Sequence, residues 1–503
     1  MKDSMIRGRR PGLAALVLAL SVAFTPAGPA SAQLPSLGDS SDISASTERR
    51  IGDRIARELY RDPDYIDDPL LHEYVMSLWQ PLLAAARQRG DLNTELDQRF
   101  AWQVLLGKDR SINAFALPGG WLGLHLGLVA SSGSRDELAA VLAHELSHVT
   151  QRHIARLMSR EKRQTPWMIG AMILGALAAA KSPEAGKAVM TGGQALAVQN
   201  QLNFSREMER EADRVGLGIM SQAGFQPQGF AGMFEKLQQQ SRLNDDGAYP
   251  YLRTHPLTTE RLADMQSRQV LGGRSAAPVD WEHAMMAARA RALSAGGTEA
   301  LRNVLREASS TPADAGDLRQ AGVLYAGALA ASKLGDHATA LRLVDQLGAK
   351  VQQQPAAMRA SRVLAGEIAL AANDRQRIAP WVDEATGSGR PEVLLSARAA
   401  LRAGQPAQAA QKLQTWVALH PQDGTAWQLL ATAHAAQGQP ARAVRAEAEA
   451  QVAWMDYAAA MDRLRAAQDL ARRGSGSDHI EASIIDTRVR QVESLLREQA
   501  LER

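Results

Sequence analysis

The 503-residue chain contains no cysteine. That absence excludes a disulfide framework, a thiolate-held metal and a cysteine nucleophile together, so any metal has to be held by histidine and carboxylate. A surplus of charge is missing as well. The formal net charge is +3, and residues 1–32, with Lys2, Arg7, Arg9 and Arg10 against Asp3, account for all of it. The remainder is close to neutral, so the sequence pI of about 9.1 does not signal the basic field of a nucleic-acid-binding protein. Finally, the apolar stretches that stand out fall short of the ~20 residues that a bilayer span needs.

The first of these stretches, Leu13 to Phe24, comes after the four basic residues and leads to Ala30-Ser31-Ala32. Charged, then apolar, then small is the order of a secretory signal peptide, with cleavage expected after Ala32. This reading is favoured over a retained anchor because Pro26 and Pro29 break the chain directly after the apolar stretch. The second, 166–180, is free of charge and studded with Gly and Ala. A buried or hairpin helix is favoured there over a helix in a membrane interface, which would make peripheral membrane contact.

The length implies several domains. Residues 33–45 read as a flexible leader, and amphipathic spacing predicts helices over Thr47–Arg61 and Pro69–Arg89. Arg99–Leu105, Ile112–Leu117 and Trp121–Leu128 are rich in β-favouring residues and suggest a small sheet. Ser134-Arg135-Asp136-Glu137 then has the form of a capping box, opening a helix with apolar Leu138, Val141, Leu142, Leu146 and Val149. Further helices are expected near 187–222, 226–242 and 258–270. From about 315 the chain becomes Ala-, Leu- and Gln-rich, and Gly404-Gln405-Pro406-Ala407 recurs 34 residues later as Gly438-Gln439-Pro440-Ala441. Gly335-Asp336 precedes the pair by about two periods of this kind, the period of tetratricopeptide (TPR) helix pairs. The copy near 356–390 fits poorly. The expected organisation is 1–32 signal peptide, 33–45 leader, 46–275 a first domain with the small sheet, 276–314 helical linker and 315–503 repeats.

The chemistry sits in His144-Glu145-Leu146-Ser147-His148. Residues four apart share a helix face, so two imidazoles can meet one zinc ion with Glu145 beside it as general base. With 11 histidines in the chain, such a match arises by chance on the order of once in a hundred sequences. A third ligand is required. His153 is near in sequence, but the extended metzincin pattern needs Gly at 151 and His at 154, where this chain has Gln151 and Ile154; it reads instead as a polar residue one turn further along the helix. Carboxylates of the segment Ser205 to Asp213 are better candidates, with Glu207, Glu209 and Glu211 in competition. The remaining histidines, such as His72 and His125, lack ligand spacing.

Five stretches carry a resemblance: Glu48-Arg49-Arg50-Ile51-Gly52, Asn113 to Gly120, His144 to His148, Ser205 to Asp213, and Thr254-His255-Pro256. Together they resemble the HtpX-type zinc metalloproteases, in the longer exported branch that carries helical repeats. The resemblance implies one Zn2+ per chain, held by His144, His148 and Glu209, with Asp213 bonded to a ligand imidazole and Glu145 catalytic. It implies that Asn113, Ala114, Phe115 and Ala116 form the edge strand that receives substrate. His255 would either stabilise the oxyanion or occupy the fourth zinc position in a resting form. The implied fold is mainly α: a zinc-peptidase (gluzincin-like) domain with a small β-sheet, followed by an α-helical TPR-like repeat domain. The implied activity is a periplasmic endopeptidase for misfolded or stalled outer-membrane proteins, its repeats selecting clients or docking on the outer-membrane assembly machinery. The rival reading is a chaperone or adaptor with proteolysis secondary or autoinhibited.

Overall fold

The computed structural model describes residues 43–160, 204–243, 250–268, 280–312, 314–383, 389–473 and 479–500. The expected signal peptide 1–32, most of the leader, the run 166–180 and the stretch 187–203 lie outside the described residues. Local signals set the first elements. Helix α1 (Ala45–Arg61) opens where the Ser44 side chain accepts from Thr47 N. Helix α2 (Pro69–Arg89) opens on Asp68, has proline in its first turn and closes on left-handed Gly90. The short α3 (Thr94–Arg99) leads into the sheet.

The sheet has three strands, β1 (Gln103–Gly107), β2 (Ala114–Leu117) and β3 (Trp121–His125), in the order β1-β3-β2. The central β3 runs parallel to β1 and antiparallel to β2, so β2 lies at an edge. The sheet is shorter than expected at its end. Leu126–Ser131 forms helix α4 rather than extending β3, because Leu126, Gly127, Leu128 and Val129 are all buried. A helix buried on every side reads like a strand in a short apolar run.

Helix α5 (Arg135–Thr150) starts at Ser134, whose hydroxyl accepts from Glu137 N. The reciprocal half of the expected capping box is shifted: Glu137 takes Gly133 N at 2.6 Å and the Lys236 ammonium. Next come α6 (His153–Arg160), α7 (Arg206–Gln222), α8 (Gln228–Leu243), α9 (Pro250–Thr254) and α10 (Thr259–Arg268). Beyond them the described residues are helical, from α11 (Trp281–Ser294) to α22 (His479–Ala500); α11 packs on α4 and on Asp317–Lys333, and the helices after it pack mainly on their neighbours in sequence. Gly335, Gly404 and Gly438 stand left-handed between successive helices, and Asn373 (φ 55°) takes the same role in the copy that fits the period poorly. Asparagine tolerates that conformation, which explains why a search for glycine misses it. No helix among the described residues is long and apolar enough to cross a membrane.

One apolar core runs from Ala45 to Ala446 without a break, so the C-terminal helices are seated on the N-terminal half. Charge fixes the seat at the start of α2. Arg289 is 3% exposed and reaches Asp68 at 2.7 Å, Glu367 at 2.8 Å and the Tyr325 hydroxyl at 3.0 Å. Arg390 bridges Asp67 and Asp423, and Arg359 bridges Glu73 and Glu392. Removing the buried guanidinium leaves the buried Asp68 carboxylate without its counter-charge beside the partly exposed Glu367, a loss of ~3–5 kcal/mol. Arg289→Met is therefore expected to lower the unfolding free energy measured in urea by that amount, whereas a loss below about 1 kcal/mol would mean that its ion pairs stabilise the fold no more than surface pairs do.

Candidate metal centre

Helix α5 carries His144, Glu145 and His148 with none of them more than 1% exposed. Helix α7 faces it with Glu209 and Asp213, four apart and both 1% exposed. The two helices approach closely because position 216 is glycine: a Cβ there would lie 3.1 Å from the Ala143 carbonyl and His144 N. The same face of α7 carries Met208, Ala212, Ile219 and Met220, all buried. That apolar stripe is a sequence signal for which side of α7 points inward, and it favours Glu209 without any resemblance. Glu207 is exposed, and Glu211 lies at the side, bonded to His153 and Arg156.

His255, at the end of α9, completes a group of four. Donor atoms of His144, His148, Glu209 and His255 lie within 4.8 Å of one another. His144 Nε2 is 3.0 Å from His148 Nε2 and 3.5 Å from Glu209 Oε2. His148 Nε2 is 3.5 Å from Glu209 Oε1, and His255 Nδ1 is 3.0 Å from the same oxygen. Tyr251 stacks on the His255 ring at 4.6 Å and Phe204 lies 3.9 Å from the His148 ring, so aromatic faces wall the group off from water. Neither aromatic stands out in the sequence.

The electrostatics ask for positive charge at the centre. Burial depresses His144, but the Asp213 carboxylate at 2.9 Å and Glu209 outweigh it and lift its pKa to about 9. Burial and the neighbouring His144 push His148 well below the usual imidazole range. Burial works against ionised Glu209 too, yet His255, His144 and His148 hold it well below the usual carboxylate range. Arg261 pairs with Asp213 through two nitrogens at 2.7 and 2.8 Å, and its Nη1 lies 2.7 Å from Glu209. With Asp213 Oδ1 2.9 Å from His144 Nδ1, the lone pair of the neutral ring is left at Nε2, the nitrogen that faces the other donors. Converging lone pairs and a carboxylate in a dry pocket fit one divalent cation of the kind that takes nitrogen and oxygen ligands.

Glu145 sits beside this group rather than in it. Its Oε2 accepts from Ala116 N at 2.9 Å, while Oε1 is buried, lacks a hydrogen bond and lies 3.5 Å from His255 Nε2. Burial pushes the carboxyl above its usual range, against the pull of His255 and His144. Of the expected edge-strand residues, Ala116 touches Glu145; Ala114 and Phe115 lie with it in β2, and Asn113, just before the strand, accepts from His125 N of β3 at 3.0 Å. By the alternation of an antiparallel ladder, Ala114 and Ala116 turn their backbone groups to the free edge.

Comparison with known proteins agrees with this geometry. The sequence profile of peptidase family M48 matches residues 83–269. The beta-barrel assembly-enhancing protease of Escherichia coli is 31% identical over 473 residues, covering 92% of this chain and 91% of its own. A putative beta-barrel assembly-enhancing protease of Vibrio cholerae is 37% identical over 238 residues, spanning 47% of each chain. The mitochondrial metalloendopeptidase OMA1 of Saccharomyces cerevisiae is 27% identical over 238 residues, 44% of this chain and 64% of its own. With a His-His-Glu-His group intact and a relative matched over nearly the whole chain, this protein belongs to peptidase family M48, the family of metallopeptidases.

Proposed function

We propose that this chain is a zinc-dependent endopeptidase of the periplasm that hydrolyses misfolded or stalled outer-membrane proteins, with its C-terminal TPR-like helices selecting clients. The observation that carries the reading is Glu145 held by Ala116 N beside the donors of His144, His148 and Glu209. His144, His148 and Glu209 would hold one zinc ion, a two-histidine, one-glutamate set that leaves a position open for reactants. Zinc at such a site polarises a scissile carbonyl and lowers the pKa of water toward ~7.

The chain's own groups supply the rest. Glu145 takes the proton of the attacking water and returns it to the leaving amine, and its raised proton affinity suits both halves of that transfer. The Ala116 contact fixes the carboxylate, and the adjoining edge of β2 suits an extended client because strand addition reads backbone rather than side chains. Asp213 holds His144 in the tautomer that a ligand needs, with Arg261 as its counter-charge. The envelope location and the client class are supported by the charged, apolar and small residues of 1–32 and by the name of the E. coli relative.

His255 supports a second reading. Its Nδ1 belongs to the four-donor group, so it is suited to fill the remaining position and hold proteolysis off, leaving a chaperone or adaptor whose helices bind clients. His255→Ala separates the two, raising cleavage if the imidazole restrains the site and lowering it if the imidazole assists.

Glu145→Gln is expected to keep zinc and client binding while lowering cleavage of an unfolded β-barrel protein at least about 10²-fold. Cleavage near the wild-type rate would remove Glu145 from the mechanism. Among the three glutamates of α7, Glu209→Gln is expected to lose zinc most readily to a chelator; a greater loss from Glu207→Gln or Glu211→Gln would put the ligand at the wrong place on that helix.

A further inference from the structure

His153 takes no part in the hydrolytic mechanism, yet it is wholly buried beside the cluster. Its place is unexpected for its spacing. Five residues along a continuing helix would carry it about 140° round the axis from His148. Instead α5 stops at Thr150, and Arg152 adopts φ 52°, a left-handed conformation that costs a non-glycine residue ~1 kcal/mol or more. The turn brings His153 Nδ1 to 2.8 Å from His148 Nδ1.

The turn is held from α1. Glu48, 1% exposed, receives Arg152 Nε at 3.2 Å and Nη2 at 3.1 Å, and Arg152 also donates to the Ile43 carbonyl. Glu48 opens the motif Glu48 to Gly52, to which the mechanism gives no task. On its far side His153 Nε2 is 3.2 Å from Glu211 Oε2, which is also held by Arg156 at 2.9 Å.

With His153 neutral, these contacts allow one consistent set of hydrogens. A carboxylate only accepts, so the hydrogen between His153 and Glu211 lies on His153 Nε2. Neutral His153 then offers a lone pair at Nδ1, and the hydrogen between the two rings lies on His148 Nδ1. His148 is left with its lone pair at Nε2, aimed at His144 Nε2 and Glu209. Asp213 Oδ1, 2.9 Å from His144 Nδ1, stands at the matching place on the other ring.

We propose that His153, oriented by Glu211 and by the left-handed Arg152 that Glu48 holds, is a positioning residue that fixes the tautomer of His148 for metal binding. This rests on the zinc-peptidase reading. The test is zinc affinity of the full chain, measured by chelator competition, in wild type, Glu209→Gln, His153→Phe and His153→Asn. Phenylalanine fills the space but accepts nothing; asparagine can offer an oxygen close to the Nδ1 position. His153→Phe is expected to bind zinc ~10–100-fold more weakly, with His153→Asn recovering most of the loss and the kcat of the zinc-loaded variant falling less than its affinity. Wild-type affinity in His153→Phe, or an equal loss in both variants, overturns the assignment. Long-range 15N–1H spectra of the histidine-labelled, zinc-loaded wild type read it without substitution: His153 is expected as the Nε2–H tautomer, and the Nδ1–H tautomer overturns the proposal even if the variants fail to fold. Failure of wild type to bind zinc, or indifference to Glu209→Gln, would sink the zinc-peptidase reading itself and is read separately from the His153 comparison.

Discussion

Three carboxylates, Glu145, Glu209 and Asp213, lie together with at most 1% of their surface exposed, and the rest of the site depends on the cation that makes this tolerable. An unpaired buried carboxylate would cost several kcal/mol or give up its charge. Arg261 supplies a permanent positive charge, bidentate to Asp213 and within 2.7 Å of Glu209. Its own place is fixed by α10, by the Pro256 carbonyl at 2.9 Å and by the Phe234 ring of α8 beneath it. With Arg261 seated, Asp213 can be an acceptor for His144 rather than a charge seeking a proton. The segment that delivers Arg261 also carries His255 and Tyr251, so the pairing that steadies α7 brings the fourth donor to the cluster.

Much of this is legible in the sequence because it is local. Asp68, Pro69 and Gly90 mark the two ends of α2 and place both to the residue. Ser134 announces the helix bearing His144 and His148, and the four-residue spacing of those histidines already puts them on one face. The choice of Glu209 over Glu207 and Glu211 rests on resemblance at the level of sequence, although Met208, Ala212, Gly216 and Ile219 mark the inward face of α7. The error at Leu126–Leu128 has the opposite cause: a fully buried helix loses the polar side that periodicity relies on.

The features that stay hidden are products of distant parts meeting. Nothing about Arg152 in sequence says that it turns left-handed, because the residue that holds it there, Glu48, is more than a hundred positions away. Extrapolating α5 as far as His153 therefore fails, since the helix ends three residues earlier. The arginines that seat the C-terminal helices pair across 221 and 323 positions, and no repeat period points to Asp68 or Asp67.

Helix α2 joins these two long-range features. Its first turn and the residues just before it take the Arg289, Arg390 and Arg359 contacts from the C-terminal half, and its body packs on both α5 and α7, the two helices that carry the cluster. The apolar core is continuous through it. The cluster needs α5 and α7 held within a few tenths of an ångström at Gly216, since a methyl group there already crowds the His144 backbone. Among the described residues the four-donor group takes no member from the C-terminal helices, so the route from those helices to the metal centre runs through the packing of α2.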